Sequence, residues 1–143
     1  MVNAGLGVQE NKYNNYIKLV GEYFEKNGKT TEIQVDTLVF IYRYHKNEKA
    51  FNMLFVCHKK LLHSICFDRY QKYRWHLHSD DLDEIKSIVY CEFYRRVTKY
   101  KIPPEAPFSK YVKLYMKKWT NVYVKLMVKK RDRFVQFNRY ENN

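Results

Sequence analysis

All three prolines of the chain, Pro103, Pro104 and Pro107, fall within five residues, and that cluster limits where the last long helix can begin. Proline lacks the amide donor and pushes its predecessor out of helical geometry, so no helix is expected to run through 103–107. Ser109 is suited to cap a helix downstream of the cluster, which places the helix start at Phe108 or Ser109. From there Tyr111, Leu114, Tyr115, Trp119, Val122, Tyr123 and Leu126 recur at three- and four-residue spacing, predicting an apolar and aromatic stripe. Lys113, Lys117, Asn121 and Lys125 step by four along another side. An aromatic stripe beside a basic one suits nucleic acid, because phosphates attract lysines and bases stack on rings. The same stripes also describe an ordinary core face next to a solvated face.

Upstream, the spacing predicts a series of helices. The first dozen residues read as a loose terminus, followed by a short helix over Asn15 to Lys26 (Tyr16, Leu19, Val20, Tyr23, Phe24) that Asn27-Gly28 stops. Val35, Leu38, Val39 and Tyr42 mark a second, with its many β-branched residues leaving strand as the alternative. Phe51, Leu54, Phe55, His58, Leu61, Leu62 and Ile65 mark one long helix that no Gly or Pro interrupts. Tyr70 to His78 is either its end or a loop. Ser79 then caps a helix reaching about Tyr100, with Asp80, Asp81, Asp83 and Glu84 in the first turn, where the helix dipole favours acids. Leu82, Ile85, Val89, Phe93 and Val97 form its buried side.

At 143 residues the chain has one domain's length and can bury a core without disulfides. We read 1–30 as an N-terminal segment with one short helix, 31–130 as the helical domain, and 131–143 as a basic and aromatic tail. The fold class expected is an all-α, compact helical bundle. Net charge is +12, from 27 basic and 15 acidic residues, which points to a polyanionic partner. Residues 108–143 alone hold ten basic and two acidic residues, a net +8.

Other chemistries find little support. Cys57, Cys66 and Cys91 are an odd number with no CxxC pair, which suggests a reducing compartment and a cytoplasmic protein. No signal-peptide pattern or membrane-length apolar run is present. His58, His63, His76 and His78 lack structural-zinc spacing, and the acids at 80–84 crowd one turn instead of converging from separate segments as a two-metal nuclease requires. The thiols sit in apolar helical stretches, where they are usually inert. Four glycines and no glycine-rich loop exclude Rossmann and P-loop folds. No internal repeat is evident, no cofactor or metal is expected, and neither is an enzymatic activity.

The order of acidic-capped helix, short break, Phe-Ser and aromatic-basic helix resembles region two of bacterial RNA polymerase sigma factors. DDLDEIKSIVYCEFYRRVTKY is similar to the acidic Asp-Leu helix of that family, and FSKYVKLYMKKWTNVYVKL to its Phe-Ser-x-Tyr helix. NEKAFNMLFVCHKKLLHSIC looks like the helix beneath the pair. The resemblance implies that Asp80, Asp81, Asp83, Glu84 and the exposed Lys86 and Glu92 line a contact with a coiled coil of the largest subunit of core polymerase. It implies further that Tyr111, Tyr115 and Trp119 capture bases of the non-template single strand at a minus-ten-like promoter element. Lys110, Lys113, Lys117, Lys118 and Lys125 would then hold phosphates. The paired tryptophans of housekeeping members fall at Leu114 and Tyr115. The family's C-terminal helix-turn-helix domain has no counterpart, as in the reduced late-gene sigma factors of bacteriophages. Such a factor works in a bacterial host cell with a coactivator, and a tail such as Phe134, Val135 and Phe137 would engage a sliding clamp. The alternative is a basic helical nucleic-acid-binding protein with no polymerase contact.

Overall fold

Gly28 takes a left-handed backbone, φ 71°, and its N–H bonds the Phe24 carbonyl at 2.7 Å, which ends the first helix. The computed structural model describes the backbone of residues 2–102 and 105–141 and the side chains of 10–102 and 105–132. Its helices are α1 (Val2–Asn27), α2 (Glu32–His45), α3 (Glu48–Cys57), α4 (Lys59–Lys72), α5 (Asp81–Lys99) and α6 (Phe108–Glu141), with a 3-10 turn at Arg74–His76. The described residues are 85% helical and contain no strand, so the chain has an all-α fold. Pro103 and Pro104, and the side chains of Phe134, Val135 and Phe137, lie outside the described residues. The backbone divides into two compact units, the first made of 1–59 with 100–111, the second of 60–99 with 112–143.

In the first unit, Thr31 caps α2 through a capping box with Gln34. Lys46 turns left-handed at φ 50°, and Asn47 caps α3 through Lys49 and Ala50. Ile17 and Val20 of α1, Val35, Leu38, Val39 and Ile41 of α2, and Ala50 and Leu54 of α3 are buried. Leu19 and Tyr23, expected on the buried stripe of α1, are exposed, and Ile17 takes their place. At Gly21 a Cβ would meet the terminal Met53 Cε at 2.8 Å, a contact that a shift of the flexible methionine relieves.

The one long helix expected from the stripe Phe51 to Ile65 is two helices. His58 breaks it: its backbone leaves helical geometry (φ −104°, ψ 5°) while its N–H and its ring Nδ1 both reach the Leu54 carbonyl, at 3.1 and 2.6 Å. The ring is buried and meets Phe108 edge-on with centroids 5.6 Å apart.

α6 begins at Phe108 with a cap the local sequence does not announce. Asp36 of α2 accepts the Phe108 N–H at 2.9 Å and lies 3.4 Å from the Tyr100 hydroxyl. Burial, with the Asp36 carboxylate beside it, raises the Tyr100 phenol to a pKa of about 12. Arg43 donates to the Tyr100 carbonyl. Phe108 and Tyr111 close this end against Tyr100 at 5.2 and 5.1 Å.

In the second unit, α5 begins at Asp81, two residues beyond the cap expected at Ser79, and the Asp81 carboxylate accepts the His78 N–H at 2.7 Å. Ile85, Val89, Phe93 and Val97 are fully buried, as their spacing predicts. α4 adds Leu62, Ile65 and Cys66.

Candidate nucleic-acid interface

Within the second unit α6 is organised on a four-residue period. Val112, Met116, Thr120, Val124 and Val128 are buried, one natural ridge of a helix, inclined to its axis. One residue before each lies a half-buried row, Tyr111, Tyr115, Trp119, Tyr123 and Met127, which Arg131 extends. One residue after each lies the row Lys113, Lys117, Asn121, Lys125 and Lys129, all exposed except half-buried Asn121. The remaining row, Leu114, Lys118, Val122, Leu126 and Lys130, is also exposed.

This corrects the expected stripe. Leu114, Val122 and Leu126 are 67%, 37% and 56% exposed, and the core row is built of medium-sized residues instead. Thr120 can join it because its hydroxyl bonds the Met116 carbonyl at 2.5 Å.

Tyr115, Tyr123 and Arg131 of this row meet α5, which runs antiparallel. Arg96 lies over the Tyr115 ring at 5.7 Å, and Arg95 lies over Tyr123 at 5.6 Å while donating to its hydroxyl at 2.6 Å. Arg131 donates through both terminal nitrogens to Asp81. Tyr115, expected to be free for bases, is therefore engaged in packing, as is Tyr111 against Tyr100 and Phe108. Trp119 touches its own helix, with Tyr123 at 6.3 Å and Lys118 at 5.6 Å.

The acidic face also changes. Asp80, Asp83 and Glu84 are exposed and Lys86 is half-buried. Asp81 and Glu92 are buried at 1% exposure, so neither is a surface contact. Glu92 pairs with Arg96 at 2.9 Å and Arg95 at 3.2 Å. Burial raises its pKa, with the neighbouring Arg96, Arg95 and Lys99 working in the opposite direction. Burial likewise raises the Cys57 thiol to about 11 and the Cys66 thiol upward.

Lys110, Lys113, Lys117, Lys118 and Lys125 are all exposed, and Lys129 and Lys130 extend the same surface. Trp75, which its sequence position does not single out, is 87% exposed, with the Arg74 guanidinium over its ring at 5.2 Å. Its only signal was the aromatic-basic composition of YQKYRWHLH. Among the described residues, no three His, Cys, Asp or Glu side chains are grouped to share a metal ion. No described helix is long and apolar enough to cross a membrane. No protein-family model, curated protein or solved structure matches the chain.

Proposed function

We propose that this protein binds nucleic acid along the exposed lysine row of α6, as a sigma-like initiation factor that joins core RNA polymerase and opens a minus-ten-like promoter element. The observation that carries the reading is the row Lys113, Lys117, Lys125 and Lys129. It lies on one helix, rises about 6 Å per four residues with a gap of about 12 Å across Asn121, and is exposed throughout. A row of cations along one helix suits a polymer of regularly spaced charges. Support for the sigma-like part is the order of an acidic-started α5, a short connection and a basic α6 beginning at Phe108. In this reading Asp80, Asp83, Glu84 and Lys86 contact polymerase, and Trp119 is the base-capturing candidate left on α6.

A second reading, nucleic-acid binding without polymerase, is favoured by the withdrawal of Asp81 and Glu92 into the core and by the packing of Tyr115 against Arg96. Co-purification with core polymerase separates the two. Retention that is lost on charge reversal of Asp80, Asp83 and Glu84 together, with DNA affinity unchanged or higher, supports the sigma-like reading. DNA binding with no retention of polymerase supports the second.

A further inference from the structure

The lysine row of α6 has one exception, Asn121, and that position gathers cations from α4. The Asn121 Oδ1 accepts from Arg69 Nη1 at 2.7 Å, from Lys72 Nζ at 3.0 Å and from the Tyr73 hydroxyl at 3.1 Å. An amide oxygen has two lone pairs and no formal charge, so three donors, two of them cationic, exceed what it can satisfy. Among the described residues neither Arg69 nor Lys72 has a carboxylate within ion-pairing distance, and the Arg69 Nε is buried without a hydrogen-bond partner. Two positive charges are thus held together on a neutral hinge, between Lys117 and Lys125 of the same row. Three residues beyond Lys72, Trp75 is exposed with Arg74 over one face of its ring, and the turn that carries it reaches α6 again where His76 Nδ1 lies 3.6 Å from Asp132 Oδ1.

We infer that Arg69, Lys72 and Tyr73, assembled on Asn121, form a phosphodiester-binding site for single-stranded nucleic acid, with Trp75 stacking on a neighbouring base. The inference rests on the nucleic-acid reading of α6 and extends it onto α4 and the turn after it. An Arg fork beside a Lys and a hydroxyl matches the oxygens of a phosphate, which take the bonds that one amide oxygen cannot supply. A cation pair alone fits any polyanion. The exposed ring next to it favours an unpaired strand, whose bases offer faces that a duplex keeps stacked.

The test compares four variants with the wild-type chain for binding to a labelled single-stranded oligonucleotide, the matching duplex and vesicles rich in phosphatidylserine, over a salt series. Lys117→Gln with Lys125→Gln reports on the α6 row. Arg69→Gln with Lys72→Gln is expected to lower single-strand affinity roughly tenfold and to flatten the slope of log K against log salt by about 1.4, two contacts at about 0.7 each. Trp75→Ala is expected to weaken the single strand at least about fivefold and the duplex little. Asn121→Asp guards against a misfolded Arg69 variant: its carboxylate neutralises the cations while strengthening the link between α4 and α6. It should keep or raise the melting temperature yet lose single-strand affinity. If the Lys117/Lys125 variant loses binding while Asn121→Asp and Arg69/Lys72 retain it, the cluster is only a structural tie and the inference is wrong. If no variant alters binding, the α6 reading falls and takes the inference with it. Preference for vesicles over the oligonucleotide would also overturn it.

Discussion

Asp81→Asn is the substitution whose outcome most sharply separates a packing role from a surface contact. Asp81 is 1% exposed. One oxygen accepts the His78 N–H at 2.7 Å, and both face the two terminal nitrogens of Arg131. Replacing one oxygen by an amide group removes the negative charge and points a donor at a guanidinium, leaving Arg131 half-buried without its partner. Breaking a fully buried pair costs about 3–5 kcal/mol. Arg131 keeps 36% of its side chain in water, which lowers the expected loss to about 2–3 kcal/mol, in the range of a charged hydrogen bond. For a chain of this length that is a fall in melting temperature of about 5–10 °C. Thermal unfolding followed by circular dichroism measures it, and a cycle with Arg131→Leu isolates the pair: the double variant should be little worse than Asp81→Asn alone. An unchanged melting temperature together with loss of polymerase binding would refute the packing role and return Asp81 to the surface contact implied by the sigma-factor resemblance.

Other substitutions probe separate joints. Asp36→Ala removes the remote cap of α6 and a neighbour of Tyr100, and should cost about 1–2 kcal/mol in chemical denaturation. Tyr100 is raised in the folded state to about 12 from an ordinary 10, so its contribution is complete below pH 10 and is lost as pH rises from 10 to 12. By linkage this is about 2–3 kcal/mol, and the difference in stability between wild type and Tyr100→Phe should shrink across that window. With thiols at Cys57 and Cys66 raised by burial and Cys91 exposed, alkylation of the native protein near pH 8 should label Cys91 first. All three should react at comparable rates in denaturant.

α5 was legible because its large apolar residues, Ile85, Val89 and Phe93, recur every four residues among charged neighbours, and a single choice of face buries them all. α6 offered no such contrast. Three of its four rows carry apolar or aromatic side chains, so the large residues Tyr111, Tyr115 and Trp119 drew the stripe, while the row that is buried holds Val, Met and Thr. A tyrosine keeps its hydroxyl near a polar partner, as Tyr123 does with Arg95, and so tends to the margin of a core. The division of α3 from α4 had no sequence sign, because His58 breaks the helix through its own ring and no Gly or Pro is involved. Asp36 and Asn121 were illegible for a different reason. Asp36 acts on residues 64 and 72 positions away, and Asn121 on residues 48 to 52 positions away, and neither spacing leaves a mark in the chain. The exposed lysines were legible, since Lys113, Lys117 and Lys125 step by four and a lysine head stays in water unless paired.

The salt dependence of binding to a single-stranded oligonucleotide tests the nucleic-acid reading most directly. Lys113, Lys117, Lys125 and Lys129, with Arg69 and Lys72, make six phosphate-directed cations, so log K should fall against log salt with a slope of about −4. Replacing the four lysines by glutamine should bring the slope to about −1.4 while leaving the melting temperature within a degree or two of wild type, because all four are exposed. Binding that is absent at low salt, or whose slope the four substitutions leave unchanged, would contradict the account.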